Sequence, residues 1–422
     1  MSATTNGSIH HTATLPNGLA LVGETNPAAR SVALGFFVKT GARDETTDVS
    51  GVTHFLEHMV FKGTPHRSAL DVNADFDKIG AQYNAFTSEE NTVFYAAVLP
   101  EYLPQAFDIL ADILRPSLRE EDFEMEKNVI IEEIGMYEDQ PMWSAYDHAK
   151  RVYFADHPLG NSILGTPDSI RALKRDQMHE YFRRRYVPGN IAVVAAGNFD
   201  WDKFVKLAEK HCGSWEKGFE SHHDTRPTTG SGRFEVMNRE KVTQEHVVLI
   251  SQGPPVSSHK RYAADILATV LGDDSGSRLY WALVDPGLAE SADCSFHEYL
   301  DTGAFYVSLS CEPERTQKNL AIIHGILRQV QEDGITEEEL RQAKSKVLSR
   351  VVRGGERPMG RMQAIGMQHV YWNSYHTVDE ELRWFGEVTR KKVRDVLKSY
   401  PVDQPTTLAL GPLPKLRRPR KA

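Results

Sequence analysis

Cysteine is scarce. The 422 residues include three, Cys212, Cys294 and Cys311, at spacings that match no metal-ligand pattern. That excludes a disulfide scaffold and reads as three buried thiols in a reducing, cytoplasmic compartment. Long apolar runs are missing too, with no stretch of about 18 such residues, so no membrane span is expected. Between Met1 and Arg30 there is neither a basic n-region nor an apolar h-region, and no Lys or Arg precedes Arg30. This speaks against a secretory or mitochondrial leader. Basic charge is in deficit, with a net charge of −9, which argues against a nucleic-acid partner. Only the tail, Lys415 to Lys421, is basic, and it reads as a solvated, disordered end. What remains is the composition of an ordinary globular protein, 40% hydrophobic and 25% charged, with length for two or three domains.

What the sequence does hold is the run His54-Phe55-Leu56-Glu57-His58. On a helix of about 3.6 residues per turn, His54 and His58 stand one above the other and both imidazoles reach one ion. Glu57 lies a step round the same edge. Two imidazoles leave tetrahedral positions open for a third protein ligand and a water, the layout of a catalytic zinc site. Apolar residues at Val52, Phe55, Leu56, Met59 and Val60 give the opposite side of this helix to a core. Taken alone, His-x-x-Glu-His also arises by chance on a solvated helix face.

The longer run His54 to Thr64, His-Phe-Leu-Glu-His-Met-Val-Phe-Lys-Gly-Thr, resembles the active-site helix of the pitrilysin and insulinase family of inverted zincins, in its mitochondrial-processing-peptidase branch. The resemblance implies two related α+β domains, each a mostly antiparallel sheet packed with helices, and one Zn²⁺ per chain. It implies Glu57 as the general base and His54 and His58 as ligands. The helical stretch Glu120 to Glu138 offers Glu126, Glu132 and Glu133 as a third ligand. Glu126 and Glu133 are seven apart on one face, while Glu132 points about 100° away from Glu133. The match of Glu126 to Ile134 to the family's distal ligand helix places the ligand at Glu133 and a supporting acid at Glu126. A register error of one residue would exchange Glu132 and Glu133. Within the strand-like run Gln82 to Ser88, Asn84-Ala85-Phe86-Thr87-Ser88 resembles the family's substrate strand, onto which a peptide adds as an edge strand at Asn84, Ala85 and Phe86.

The chain divides into a catalytic domain at 8–212, a linker at 213–232, a related domain at 233–414 and the tail at 415–422. The second half repeats the first. Thr302-Gly303-Ala304-Phe305-Tyr306 echoes Asn91-Thr92-Val93-Phe94-Tyr95, and Leu408-Ala409-Leu410-Gly411 echoes Val194-Ala195-Ala196-Gly197. The copy has lost the chemistry, since Ala263 to Leu267 stands where the motif should be and Arg350 near the place of Glu133. The family's arginine and tyrosine, seven apart in the second half, are also missing: Glu290 occupies the tyrosine position. His297 or Tyr299, zinc alone or a partner chain would then steady the substrate carbonyl. These readings point to a zinc endopeptidase acting on peptides or unfolded segments inside a chamber, as a homodimer or a heterodimer with a related chain. The rivals are a silent scaffold subunit of a peptidase-like assembly and a peptide-binding module with structural zinc.

Overall fold

The computed structural model describes residues 7–218, 225–226, 228 and 230–419. The first half runs β1 Ile9–Thr14, β2 Ala20–Thr25, β3 Val32–Val38, α1 Val52–Val60, α2 Ala69–Lys78, β4 Gln82–Thr87, β5 Thr92–Val98, α3 Leu103–Ile113, α4 Glu120–Glu138, α5 Pro141–Phe154, α6 Pro167–Ala172, α7 Arg175–Arg185, β6 Ile191–Gly197 and α8 Trp201–Cys212. The second runs β7 Phe234–Asn238, β8 Glu245–Gly253, α9 Lys260–Gly272, β9 Ser291–Glu298, β10 Gly303–Cys311, α10 Pro313–Asp333, α11 Glu337–Gly355, α12 Pro358–Trp372, α13 Val378–Gly386, α14 Arg390–Ser399 and β11 Thr406–Gly411.

The chain forms two compact units, one of residues 1–134, 161–224 and 352–379, the other of 135–160, 225–351 and 380–422. Relative to a linear division at 213–232, two segments change sides, one carrying α5 and one carrying α12. The sheets explain the exchange. In the first unit, β3 and β6 are buried on both faces. Leu34, Phe36, Val193 and Ala195 face the main core with α1 and α3, whereas Ala33, Phe37, Val194 and Ala196 face Met362 and Ile365 of α12. A strand alternates its side chains, so a sheet apolar on both faces needs a helix on each. In the second unit, Val247 and Leu249 of β8 face the core with α9, and Val248 and Ile250 face Ala145 and Ala149 of α5.

The strand orders are β1-β2-β6-β3-β5-β4 and β7-β11-β8-β10-β9. Only β2–β6 and β7–β11 are parallel; the other pairs are antiparallel. Without β1, the first order maps element by element onto the second, so the expected duplicated α+β architecture is present. In each unit one hairpin strand, β4 or β9, closes an edge.

Two peripheral expectations need correction. Leu416 packs against the second core, and Gln317 brackets the Arg417 backbone with bonds of 2.9 Å to both its N–H and its carbonyl. The tail is therefore tied down as far as Arg418, whose guanidinium donates to the Gly232 carbonyl at 2.9 Å, while Lys415, Arg417 and Arg418 stay exposed to solvent. Residues 420–422 lie outside the described residues, as do several in the expected linker. Within that linker Arg226 is anchored, its guanidinium to the Asp156 carbonyl at 2.7 Å and its N–H to Asp301 at 2.8 Å. Among the described residues no helix is long and apolar enough to cross a membrane.

Candidate metal and catalytic site

Helix α1 is fixed at its start and along its apolar face. Gly51 caps it at φ +89°, and a Cβ there would lie 2.7 Å from the Leu164 carbonyl oxygen, so glycine is required on two counts. The buried Glu45 carboxylate accepts the N–H groups of Gly51 at 2.7 Å and Thr53 at 2.8 Å, satisfying donors that a helix start leaves open. The Thr53 hydroxyl meets Tyr181 at 2.7 Å, and Tyr181 meets Thr40 at 2.7 Å. Phe55 stacks on Phe123 with centroids 4.8 Å apart, which ties α1 to α4.

On α4 the buried residues Phe123, Glu126, Ile130 and Ile134 recur at helical spacing. That face brings Glu133 to the histidines and leaves Glu132 exposed. The Glu133 Oε2 atom lies 3.4 Å from His58 Nε2 and 3.8 Å from His54 Nε2. One ligand atom from each of the three residues falls within 4.8 Å of the other two, and among the described residues no other such group occurs. Tetrahedral ligands at 2.0–2.2 Å from zinc stand roughly 3.3 Å apart, so the spacing suits one small divalent ion. Glu133 Oε2 is buried and has no hydrogen-bond partner, as expected of an atom reserved for a cation.

The outer contacts orient the donors. His58 Nδ1 lies 2.9 Å from Glu126 Oε1, and Lys62 Nζ holds the other Glu126 oxygen at 2.6 Å. Burial alone would raise the Glu126 carboxyl, but His58 and Lys62 outweigh it and bring it below its usual value. Burial, then the neighbouring His58, push the His54 imidazole down to about 3, so its ring is neutral and keeps a lone pair. Burial raises Glu57, partly opposed by a hydrogen bond that Thr87 donates to its Oε2 at 2.5 Å. Burial likewise raises Glu133. The site thus combines a neutral imidazole, a carboxylate-backed imidazole, a carboxylate donor and an adjacent carboxyl able to move a proton.

Beside it runs β4, the edge strand carrying Asn84, Ala85 and Phe86. The Ala85 N–H is met by the Asn84 side chain at 2.8 Å, and Phe86 packs on the α12 face. The residues considered for carbonyl stabilisation lie in the second unit. Glu290 bonds to the Gln244 amide, the buried Tyr299 hydroxyl meets Tyr306 at 3.1 Å, and His297 Nε2 lies 3.2 Å from Ser295. Sequence reasoning missed Lys62, Thr87 and Glu45. Lys62 and Thr87 sit inside the two runs that carried the resemblance; Glu45 has no local signal.

Comparison with known proteins agrees with this geometry. Residues 20–167 match the family model described as insulinase (peptidase family M16), and residues 172–347 match the peptidase M16 inactive domain. An uncharacterized zinc protease of Streptomyces coelicolor is 36% identical over 419 residues, 96% of this chain and 90% of the relative. An uncharacterized zinc protease of Bacillus subtilis is 34% identical over 388 residues, 91% of this chain and 94% of the relative. The crystal structure of a protease from Helicobacter pylori superposes with a TM-score of 0.88 at 24% identity, covering 96% of this chain and 99% of that one.

Proposed function

The chain belongs to peptidase family M16, and on that premise we propose that it is a zinc-dependent endopeptidase cleaving extended peptides and unfolded polypeptide segments. The observation that carries this reading is the convergence of His54 Nε2, His58 Nε2 and the unpartnered Glu133 Oε2, with Glu57 beside them. In it, His54, His58 and Glu133 hold one zinc ion per chain, and Glu126 orients His58. Bound there, the ion supplies Lewis acidity, polarising a peptide carbonyl and acidifying a water.

The chain's own residues do the rest. Glu57 takes a proton from the attacking water and delivers it to the amine nitrogen as the C–N bond breaks. Burial raises its carboxyl towards the range where one group can both accept and return a proton. The open edge of β4, at Asn84, Ala85 and Phe86, pairs with the substrate main chain and selects for extension rather than for particular side chains. Such pairing disfavours folded proteins, and enclosure in a chamber built with a second chain, identical or related, would do the same. The lack of an arginine–tyrosine pair favours a related partner that supplies it.

One observation favours a second reading. Glu290 at the tyrosine position is engaged with Gln244, which suits a silent subunit of a peptidase-like assembly. The two readings part on a quenched fluorescent pool of unstructured peptides. The peptidase reading expects cleavage that a chelator stops and zinc restores, with a folded protein of equal length left intact. Zinc-loaded protein that cleaves nothing, alone or with a co-purified partner, would support the silent subunit.

A further inference from the structure

We propose that Thr87 is a positioning residue for Glu57 and that its hydroxyl links the substrate strand to the base. The inference rests on the peptidase reading above and goes beyond it to a residue outside the ligand set. Thr87 is the last residue of β4 and pairs with Thr92 across the β4–β5 hairpin. Side chains alternate along the strand. Tyr83, two pairs back on the same face, stacks on Phe76 of α2 at 3.9 Å, and Ala85 packs against the same core. Phe86 turns to the opposite face. The face of residues 83, 85 and 87 is therefore the one towards α1, which is how the Thr87 hydroxyl comes to donate to Glu57 Oε2 at 2.5 Å.

The donor is held as firmly as the acceptor. The turn after Thr87 is closed by the Ser88 N–H to the Asn91 carbonyl at 2.8 Å and the Asn91 N–H to Ser88 Oγ at 3.1 Å. Buried Glu90 in that turn is paired with buried Arg43. The opposite hydroxyl, Thr92, is committed to the Thr40 carbonyl at 2.9 Å and does not compete. A β-branched side chain has few χ1 choices, so Thr87 presents its hydroxyl at little entropic cost. One carboxylate oxygen of Glu57 is thus anchored to the strand that an extended peptide would pair with. The peptide and the base are registered through a single residue.

The test is steady-state cleavage of an unstructured quenched peptide by full-length wild type, Thr87→Val and Thr87→Ser, with zinc content measured on each. Valine keeps the shape and strand preference of threonine but not its hydroxyl; serine keeps the hydroxyl. The expected result for valine is kcat lowered at least about tenfold, with KM and zinc content within about twofold of wild type. Serine should recover at least about a third of wild-type kcat. Wild-type kcat in the valine variant would overturn the proposal, and so would serine impaired as much as valine, since shape rather than the hydroxyl would then matter. A wild-type protein that holds zinc and cleaves nothing sinks the peptidase reading instead. The contact itself is then read from unfolding midpoints of Thr87→Val, Glu57→Leu and the double variant: non-additive shifts support it, and additive shifts overturn it.

Discussion

His58 and His54 occupy different surroundings although they share a helix face. His58 Nδ1 is backed by Glu126, itself held by Lys62, whereas the buried His54 Nδ1 has no hydrogen-bond partner. A ligand histidine whose second nitrogen is held loses less freedom on binding and is more basic. Glu126→Gln should therefore weaken zinc binding about 10- to 100-fold, read by competition with a chromogenic chelator; unchanged affinity would show that Glu126 does not act through His58. A second carboxyl makes a prediction far from the site. Glu245 is fully buried and, among the described residues, has one oxygen without a hydrogen-bond partner and accepts only the Leu413 N–H at 3.3 Å. Burial lifts it from 4.5 to about 7. The folded state thus keeps a proton that the unfolded state has lost between these values. Its contribution is complete below about pH 4.5 and disappears as pH rises towards 7, by at most about 1.4 kcal/mol per pH unit. Urea unfolding of Glu245→Gln should lack that slope, and an identical pH profile in the variant would refute the assignment. At this scale, residues adjacent in sequence were legible: His54, Glu57 and His58 need only a helix. Glu133 needed the periodicity of a second helix and a resemblance to settle its register. Thr87 and Lys62 were not legible as contacts, because nothing in one dimension says which donors reach Glu57 and Glu126.

Helix α1 owes its position to groups outside itself. It is short, 9 residues, and an isolated helix of that length is marginal in water. Its apolar side chains and the Glu45 carboxylate across its first turn stand in for length. Glu45→Ala should leave two buried N–H groups without acceptors and lower stability by about 2 kcal/mol, measured by denaturant unfolding. A variant as stable as wild type would mean that the helix start is held by Gly51 and its packing alone. The sequence announced α1 and α4 through their periodicity. It could not announce that each sheet is covered on both faces, because α5 and α12 reach those faces from elsewhere in the chain. That is also why a linear boundary at 213–232 does not describe the compact units.

Apart from β1 the two units share a strand order, and among the described residues only the first brings a convergent set of metal-type donors together at this place. In the second, Arg261 pairs with Glu298 at 2.9 Å, and Arg350 bonds to Thr269 at 2.9 Å. Ion pairs and hydrogen bonds, not a convergent donor set, occupy the region of α9 and α11 where the chemistry would have been repeated. The local echoes 211 to 214 positions apart made this duplication legible, since strands that pair alike keep similar residues at the hairpin.

Glu57 as the base is tested most directly by comparing wild type with Glu57→Gln, measuring zinc per chain and cleavage of unstructured peptide on the same preparations. About one zinc is expected in each, with turnover lower in the variant by about 10²–10⁴-fold, the usual share of a general base. Equal turnover in both proteins would contradict it, because the proton would then be moved by a group other than Glu57.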